Sequence, residues 1–213
     1  MSKKLIIAFE GVEGSGKSLH LKNISKYLKR KKIRFLSLRE PGGSKTSEKI
    51  RKLILSNKSN FNKKTDLLLY LAARSENIEK IIKKNYKKKI ILIDRFIDST
   101  LAYQHYGMGI DKNIINKINQ YLLGKIKIDF TFLNLVNMTN LQSRLSKRKN
   151  LNRYDKFKIS FYKKIQNGFI KIAKKNKKRY FILDNSKDTN ESEKIILNKF
   201  EKALDKWLLW MKI

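Results

Sequence analysis

Short apolar runs alternate along this chain with longer stretches whose apolar residues recur every three or four positions. The runs at 5–9, 35–38, 90–93, 130–135 and 180–183 are four to six residues long and almost continuously apolar, as in strands buried on both faces. After the first of them Leu19, Leu21, Ile24, Tyr27 and Leu28 take helical spacing. Similar patterns follow at 47–55, 66–82, 97–106, 112–123, 138–148, 157–175 and 191–211. Strands separated by helices of this length predict βαβ units. Their crossovers are right-handed, so the expected architecture is α/β: a three-layer sandwich with a mostly parallel five-stranded sheet. In the last helical stretch Leu204, Trp207, Leu208 and Met211 share one stripe, expected to pack on the core. No repeat or linker interrupts the pattern, and 213 residues suit a single domain, 1–213.

Composition narrows the classes. At 41% apolar residues the chain can bury a core. No apolar run is long enough to span a membrane. Met1-Ser2-Lys3-Lys4 leads straight into the first run without a small-residue cleavage site, so a cytoplasmic protein is expected. With no Cys there is no disulfide, thiolate zinc site or cysteine nucleophile, and His20 and His105 stand too far apart in sequence for a His-rich metal site to be expected.

The net charge of +33 suggests a polyanion partner, but its make-up argues otherwise. The excess is 41 Lys against 10 Arg. Lys, Ile and Asn, with A/T-rich codons, number 87; Ala, Gly and Pro, with G/C-rich codons, number 16. An A/T-biased genome produces that balance without selection for nucleic acid. The lysines are spread over most helices and lack an interleaved aromatic series, so no specific nucleic-acid partner is expected. A nucleic-acid-binding ATPase would instead show steep salt dependence. Where Arg, Gly and Pro resist the drift toward Lys and Asn, they mark positions that need them.

Three segments hold seven of the nine glycines, and all follow strands. The first is Gly11-Val12-Glu13-Gly14-Ser15-Gly16-Lys17-Ser18, which fits G-x-x-x-x-G-K-[ST] between a strand and a helix. Such a loop turns backbone N–H groups toward phosphate oxygens, with the positive end of the helix dipole behind them. Lys17 would reach the β/γ-phosphates and the Ser18 hydroxyl would ligate Mg²⁺. The second is Arg39-Glu40-Pro41-Gly42-Gly43, with the only Pro. The third is Asp94-Arg95-Phe96-Ile97-Asp98-Ser99-Thr100-Leu101-Ala102-Tyr103-Gln104, followed by Gly107 and Gly109. In open parallel sheets the ligand crevice lies outside the carboxyl ends of the strands, where all three fall. A guanine-specifying Asn-Lys-x-Asp run is absent, which argues against a GTPase.

With Ala73-Arg74 and Asn152-Arg153-Tyr154-Asp155, these segments occur in the order and at the spacing of the bacterial thymidylate (dTMP) kinases, which the chain resembles over about residues 3–208. The resemblance implies a P-loop nucleoside monophosphate kinase fold, Mg²⁺ and ATP as co-substrate, dTMP as acceptor, and a homodimer. For the donor it implies contacts from Gly11, Val12, Glu13, Gly14, Ser15, Gly16, Lys17 and Ser18, with Arg144 stacking on adenine, and it sets residues 183–186 beneath that base. For the acceptor it implies Tyr70 stacking on the pyrimidine and Arg74 donating to a base carbonyl. Ser99, Thr100 and Gln104 would lie near the base, and Tyr103 beside the sugar. Arg95, with Arg39 and Arg51, would grip the acceptor phosphate in a clamp suited to in-line positioning. Glu13, with Glu40 and Pro41 nearby, would lie by the sugar and metal. Asp94 joins Ser18 at the metal.

Some members of that family carry an arginine inside the phosphate loop; here none stands there. The alternative is a lid, at about 144–156, in which Arg153 is expected to cover the transferring group with Arg148 in support. Leu19 replaces the usual Thr and removes a hydroxyl near the α-phosphate. Tyr154 replaces a smaller aliphatic residue, and Asp155 stands where Glu is usual. A kinase for dUMP, another monophosphate or a deoxynucleoside is the alternative reading.

Overall fold

The computed structural model describes residues 4–186 and 189–210. Five strands, β1 (Ile6–Glu10), β2 (Phe35–Arg39), β3 (Ile90–Asp94), β4 (Phe130–Leu135) and β5 (Tyr180–Asp184), form one sheet in the order β2-β3-β1-β4-β5. All four pairings are parallel. Successive strands are joined through helices: α1 (Lys17–Arg30), α2 (Lys45–Leu55), α3 (Lys63–Asn77), α4 (Lys83–Asn85), α5 (Ile97–Thr100), α6 (Lys112–Leu123), α7 (Met138–Ser146) and α8 (Ile159–Lys175). A last helix, α9 (Thr189–Trp210), follows β5. A π-helical turn, Ile78–Ile82, joins α3 to α4, and a longer one, Leu101–Gly107, continues α5.

Period two along β1 decides the core. Ile7 and Phe9 face one side, with Ile24 and Leu28 of α1 and Ile196, Phe200 and Leu204 of α9. Ile6 and Ala8 face the other, against Ile78 and Ile82. Central β1 is buried at all five positions. A further cluster joins Val12, Leu133 and Tyr154 to Tyr162, Ile165 and Phe169 of α8.

The chain departs from its hydrophobic pattern in informative places. On α1 the buried stripe is Lys17, His20, Ile24 and Leu28, while Leu19 is exposed. Leu204 is buried and Trp207 packs half-buried against the same cluster, but Leu208 is 41% exposed. Met211 lies outside the described residues. β1, β2, β3 and β5 each run one residue beyond their apolar run, and that residue is charged: Glu10, Arg39, Asp94 and Asp184. The ladder continues through the backbone while the side chain leaves the apolar layers. Arg39 and Phe9 both pair with Asp94 in register, which gathers functional groups at the carboxyl end of β1, where strand order reverses.

Candidate active site

The loop after β1 folds as its glycines require. At Gly11, φ is +138° and a Cβ would lie 2.2 Å from the Asn134 carbonyl oxygen; at Gly16, φ is +93° and a Cβ would meet the Asn185 amide at 3.0 Å. Asn185, just after β5, donates to the Ser15 carbonyl at 2.6 Å and to Asn134 Oδ1 at 2.9 Å, and its own Oδ1 lies 3.0 Å from His20 Nε2. Arg144 of α7 donates to the Gly14 carbonyl at 2.7 Å and the Asn185 carbonyl at 2.9 Å. The loop is thereby braced from behind by residues of α1, β4, α7 and the turn after β5.

Lys17 lies inside it, donating to the Val12 carbonyl at 2.7 Å. Burial, helped by the neighbouring Arg95, pulls its pKa down to about 8. Ser18 Oγ donates to Asp94 Oδ2 at 2.6 Å. Among the described residues no three His, Asp or Glu side chains converge. One hydroxyl beside one carboxylate is a donor set that suits Mg²⁺ keeping water and phosphate oxygens as its other ligands.

Arg95 follows β3 with φ +64°, a left-handed conformation uncommon for a residue with a Cβ. That twist carries its guanidinium back over the loop. It donates to the Gly11 carbonyl at 2.7 Å and to Glu13 Oε1 at 2.9 Å, with the Tyr103 ring centroid 5.1 Å away. Burial works against the charge, but Tyr103, Glu13 and Asp94 around it hold its pKa above the ordinary arginine value. Tyr103 donates its hydroxyl to Glu13 Oε2 at 2.5 Å. Burial pushes Glu13 up, and Arg95 and Lys17 overcome it, so Glu13 stays ionised below the usual carboxylate range.

Two contiguous cavities result. The larger, about 580 Å³, runs from the phosphate loop past Arg39, Arg51, Arg95, Arg144 and Arg148. The smaller, about 30 Å³, lies between Tyr70, Arg74, Ser99, Thr100, Tyr103 and Gln104. Glu13, Glu40, Tyr70 and Arg95 line both. A phosphate-binding loop therefore opens directly into a small polar and aromatic pocket, with an arginine on the boundary.

Residues 9–196 match the family model for thymidylate kinase. The chain belongs to the thymidylate kinase family. A thymidylate kinase of Thermosipho africanus is 38% identical over 94% of this chain and 99% of its own. One of Mycoplasma capricolum is 36% identical over 92% and 96%. The crystal structure of the thymidylate kinase from Ehrlichia chaffeensis superposes with a TM-score of 0.76 at 31% identity, covering 94% of this chain and 99% of that one. The fold is thus that of the P-loop nucleoside monophosphate kinases.

Within that family frame, several residues expected to touch substrate are engaged by the protein itself. Arg74 is fully buried and spends four donors on Glu40 at 2.8 Å, Thr100 at 2.9 Å, Asn119 at 2.8 Å and the Phe96 carbonyl at 3.0 Å. A guanidinium taken out of water needs such partners, which leaves one N–H to point elsewhere. Glu40 pairs with Arg74, and burial raises its pKa; it braces the pocket wall more than it reaches for a metal. Arg51 donates to the Pro41 carbonyl at 2.6 Å, and exposed Arg39 is shared with Glu48; both line the large cavity.

Ser99 Oγ donates to Glu10 at 2.5 Å instead of facing the pocket alone. Burial, with Asp98 nearby, pushes Glu10 up to about 7 against hydrogen bonds from Ser99 and Phe96. Its folded-state pKa lies above the unfolded value of 4.5, so its contribution to stability is complete below pH 4.5 and lost as pH rises through about 7. The loss amounts to roughly 3 kcal/mol. We expect melting temperature to fall by on the order of 5 °C between pH 5 and 7.5, and Glu10→Gln to flatten that slope. A parallel slope in the variant refutes the assignment.

The lid departs most from expectation. Arg148 lines the large cavity, held by Asp155. Arg153 does not line it: its Nε donates to the Ile54 carbonyl at 2.5 Å, and its terminal nitrogen pairs with Asp66. With a side chain only 16% exposed, its charge takes the nearest buried carboxylate.

Residues 183–186 were expected beneath the adenine, and Asn185 among them instead braces the phosphate loop. Asn77, Asn119 and Asn134 were not legible as site residues, because in a chain with 19 Asn a required asparagine looks like drift, and Asp66 read only as the start of a helix.

Proposed function

We propose that the chain transfers the terminal phosphoryl group of Mg·ATP to dTMP, giving ADP and dTDP. One observation carries this reading: the phosphate loop and the small polar and aromatic pocket open into each other across Arg95, Glu13 and Tyr70. An acceptor whose base lies against Tyr70, with one edge turned to the small pocket, leaves its phosphate beside Arg95, facing the loop. A phosphate oxygen of dTMP attacks the terminal phosphorus as the bond to the bridging oxygen breaks, and ADP leaves.

Such a transfer needs positioning and charge neutralisation more than covalent chemistry. Lys17 and the loop N–H groups hold the donor phosphates. Arg95, with Arg39 and Arg51, holds the acceptor phosphate in line. Mg²⁺, when bound, neutralises charge between the donor phosphates, with Ser18 and Asp94 to hold it and its waters. Arg148 takes the covering role, as the lid arginine already in the cavity, on a lid at residues 144–156. Tyr70 offers a ring for the pyrimidine, and Tyr103, fixed by Glu13, crowds the 2′ side of the sugar. Among the described residues no helix is long and apolar enough to cross a membrane. A cytoplasmic location follows from substrates that are cytoplasmic nucleotides. The homodimer implied by the family would cover exposed Leu68 of α3 with Ile114 and Tyr121 of the adjoining α6.

A panel of acceptors, followed by coupled ADP release, tests the function. We expect dTMP to be turned over at least about 100-fold more efficiently than dCMP or AMP, and faster than dUMP. Equal turnover across the panel removes the base-pocket assignment.

A further inference from the structure

One buried carboxylate stands outside the machinery described above, yet touches both halves of it. Asp66, in the first turn of α3, is 1% exposed. Its Oδ2 accepts from Gln104 Nε2 at 3.1 Å, on the π-helical segment that walls the small pocket, and from Tyr154 Oη at 2.6 Å, on the lid. Arg153, the neighbouring lid residue, supplies its counter-charge.

We infer that Asp66 is a positioning residue that couples acceptor recognition to the lid. The physical chain is short. Gln104 lines the base pocket. Tyr154 packs edge-on against Tyr70, at 6.0 Å, and Tyr103, at 5.9 Å, so its ring also reads the pocket wall. On the lid side, Asp155 holds Arg148 through Oδ1 and receives the Asn152 backbone N–H at Oδ2, at 3.1 Å, which makes residues 148–155 one stiff turn. Where Gln104 and Tyr154 settle on Asp66 therefore decides where Arg148 stands over the donor phosphates. Three donors share this carboxylate, so a shift of the base-pocket wall changes the bonds available to the lid. The inference rests on the base-pocket assignment proposed above.

Because contact alone does not demonstrate coupling, the test measures it. Calorimetric titration of dTMP into the enzyme, with and without a saturating non-hydrolysable ATP analogue and Mg²⁺, gives the coupling factor. We expect the analogue to tighten dTMP binding at least about fivefold in the native chain. In Asp66→Asn the factor should fall below about twofold, while dTMP binding without the analogue stays within about threefold. kcat should drop about tenfold at nearly constant KM for dTMP. Tyr154→Phe keeps the ring, removes one bond to Asp66, and should lose part of the coupling. If Asp66→Asn fails to fold by circular dichroism, Tyr154→Phe alone decides. A coupling factor that either folded variant leaves at the native value overturns the inference, as does a native chain without coupling. A native chain that does not bind dTMP overturns the pocket assignment instead.

Discussion

Replacing Arg95 by alanine is expected to lower kcat/KM for dTMP by more than about 100-fold. The guanidinium stands between the Gly11 carbonyl and Glu13, at the boundary of the two cavities, carried there by a left-handed backbone. Its loss has two consequences. The proposed acceptor phosphate loses a guanidinium donor, and Glu13 loses the charge that, with Lys17, keeps its pKa low. Lysine at the same position should recover only a small part, because a point charge cannot bridge the Gly11 carbonyl, Glu13 and a phosphate at once. Steady-state kinetics with dTMP varied at saturating ATP reads the effect. An Arg95→Ala enzyme within threefold of the native rate would falsify the phosphate-clamp assignment.

A larger loss, on the order of 10³-fold in kcat, is expected for Lys17→Met, which keeps the length and volume of the side chain but removes its charge. The buried ammonium titrates near pH 8, since it is drawn out of water and stands near Arg95. A polyphosphate arriving in the loop favours the charged form and raises that value. Near pH 8, ATP binding to the native chain should therefore take up a fraction of a proton, measurable by calorimetry in buffers of different ionisation enthalpy. Lys17→Met should take up none. Equal uptake by both proteins would mean that the proton goes to another group, and a variant with native kcat would end the catalytic assignment.

Tyr154 stands where the lid meets the acceptor pocket. In the bare sequence it looked like a lid detail. In three dimensions its ring fills the space between Tyr70, Tyr103 and Phe157, and its hydroxyl reaches α3. The same contacts explain why Arg153, rather than Arg148, is withdrawn from the cavity. Two lid arginines face two buried acids, Asp66 and Asp155, and sequence distance says nothing about which pairs with which.

What was legible in the chain was local. Four strands were readable to within one residue at each end and 130–135 was matched outright, because each run is almost continuously apolar; β1, β3 and β4 are buried on both faces, whereas the edge strands β2 and β5 are only partly buried. The residue by which β1, β2, β3 and β5 exceed those runs was not readable, since Glu10, Arg39, Asp94 and Asp184 belong to the ladder by backbone and to the site by side chain. Residues 97–106 read as one regular helix, and the structure inserts π-helical turns from Leu101. From this segment Tyr103 reaches Glu13 and Gln104, one step round, reaches Asp66.

By itself, then, the sequence determined the order of the elements, the phosphate loop with its strand and helix, the family, and the arginines that a lysine-rich drift had spared. Each is set by neighbours within a few positions or by residue chemistry that only one role explains. The tertiary structure alone decided which of those arginines remain open to substrate. Arg74 and Arg153 are consumed by Glu40, Asn119 and Asp66, while Arg95 and Arg148 keep a face toward the cavity. The physical reason is that a buried guanidinium must find its counter-charge and acceptors wherever packing brings them, up to about 90 positions away in the chain, as with Arg153 and Asp66.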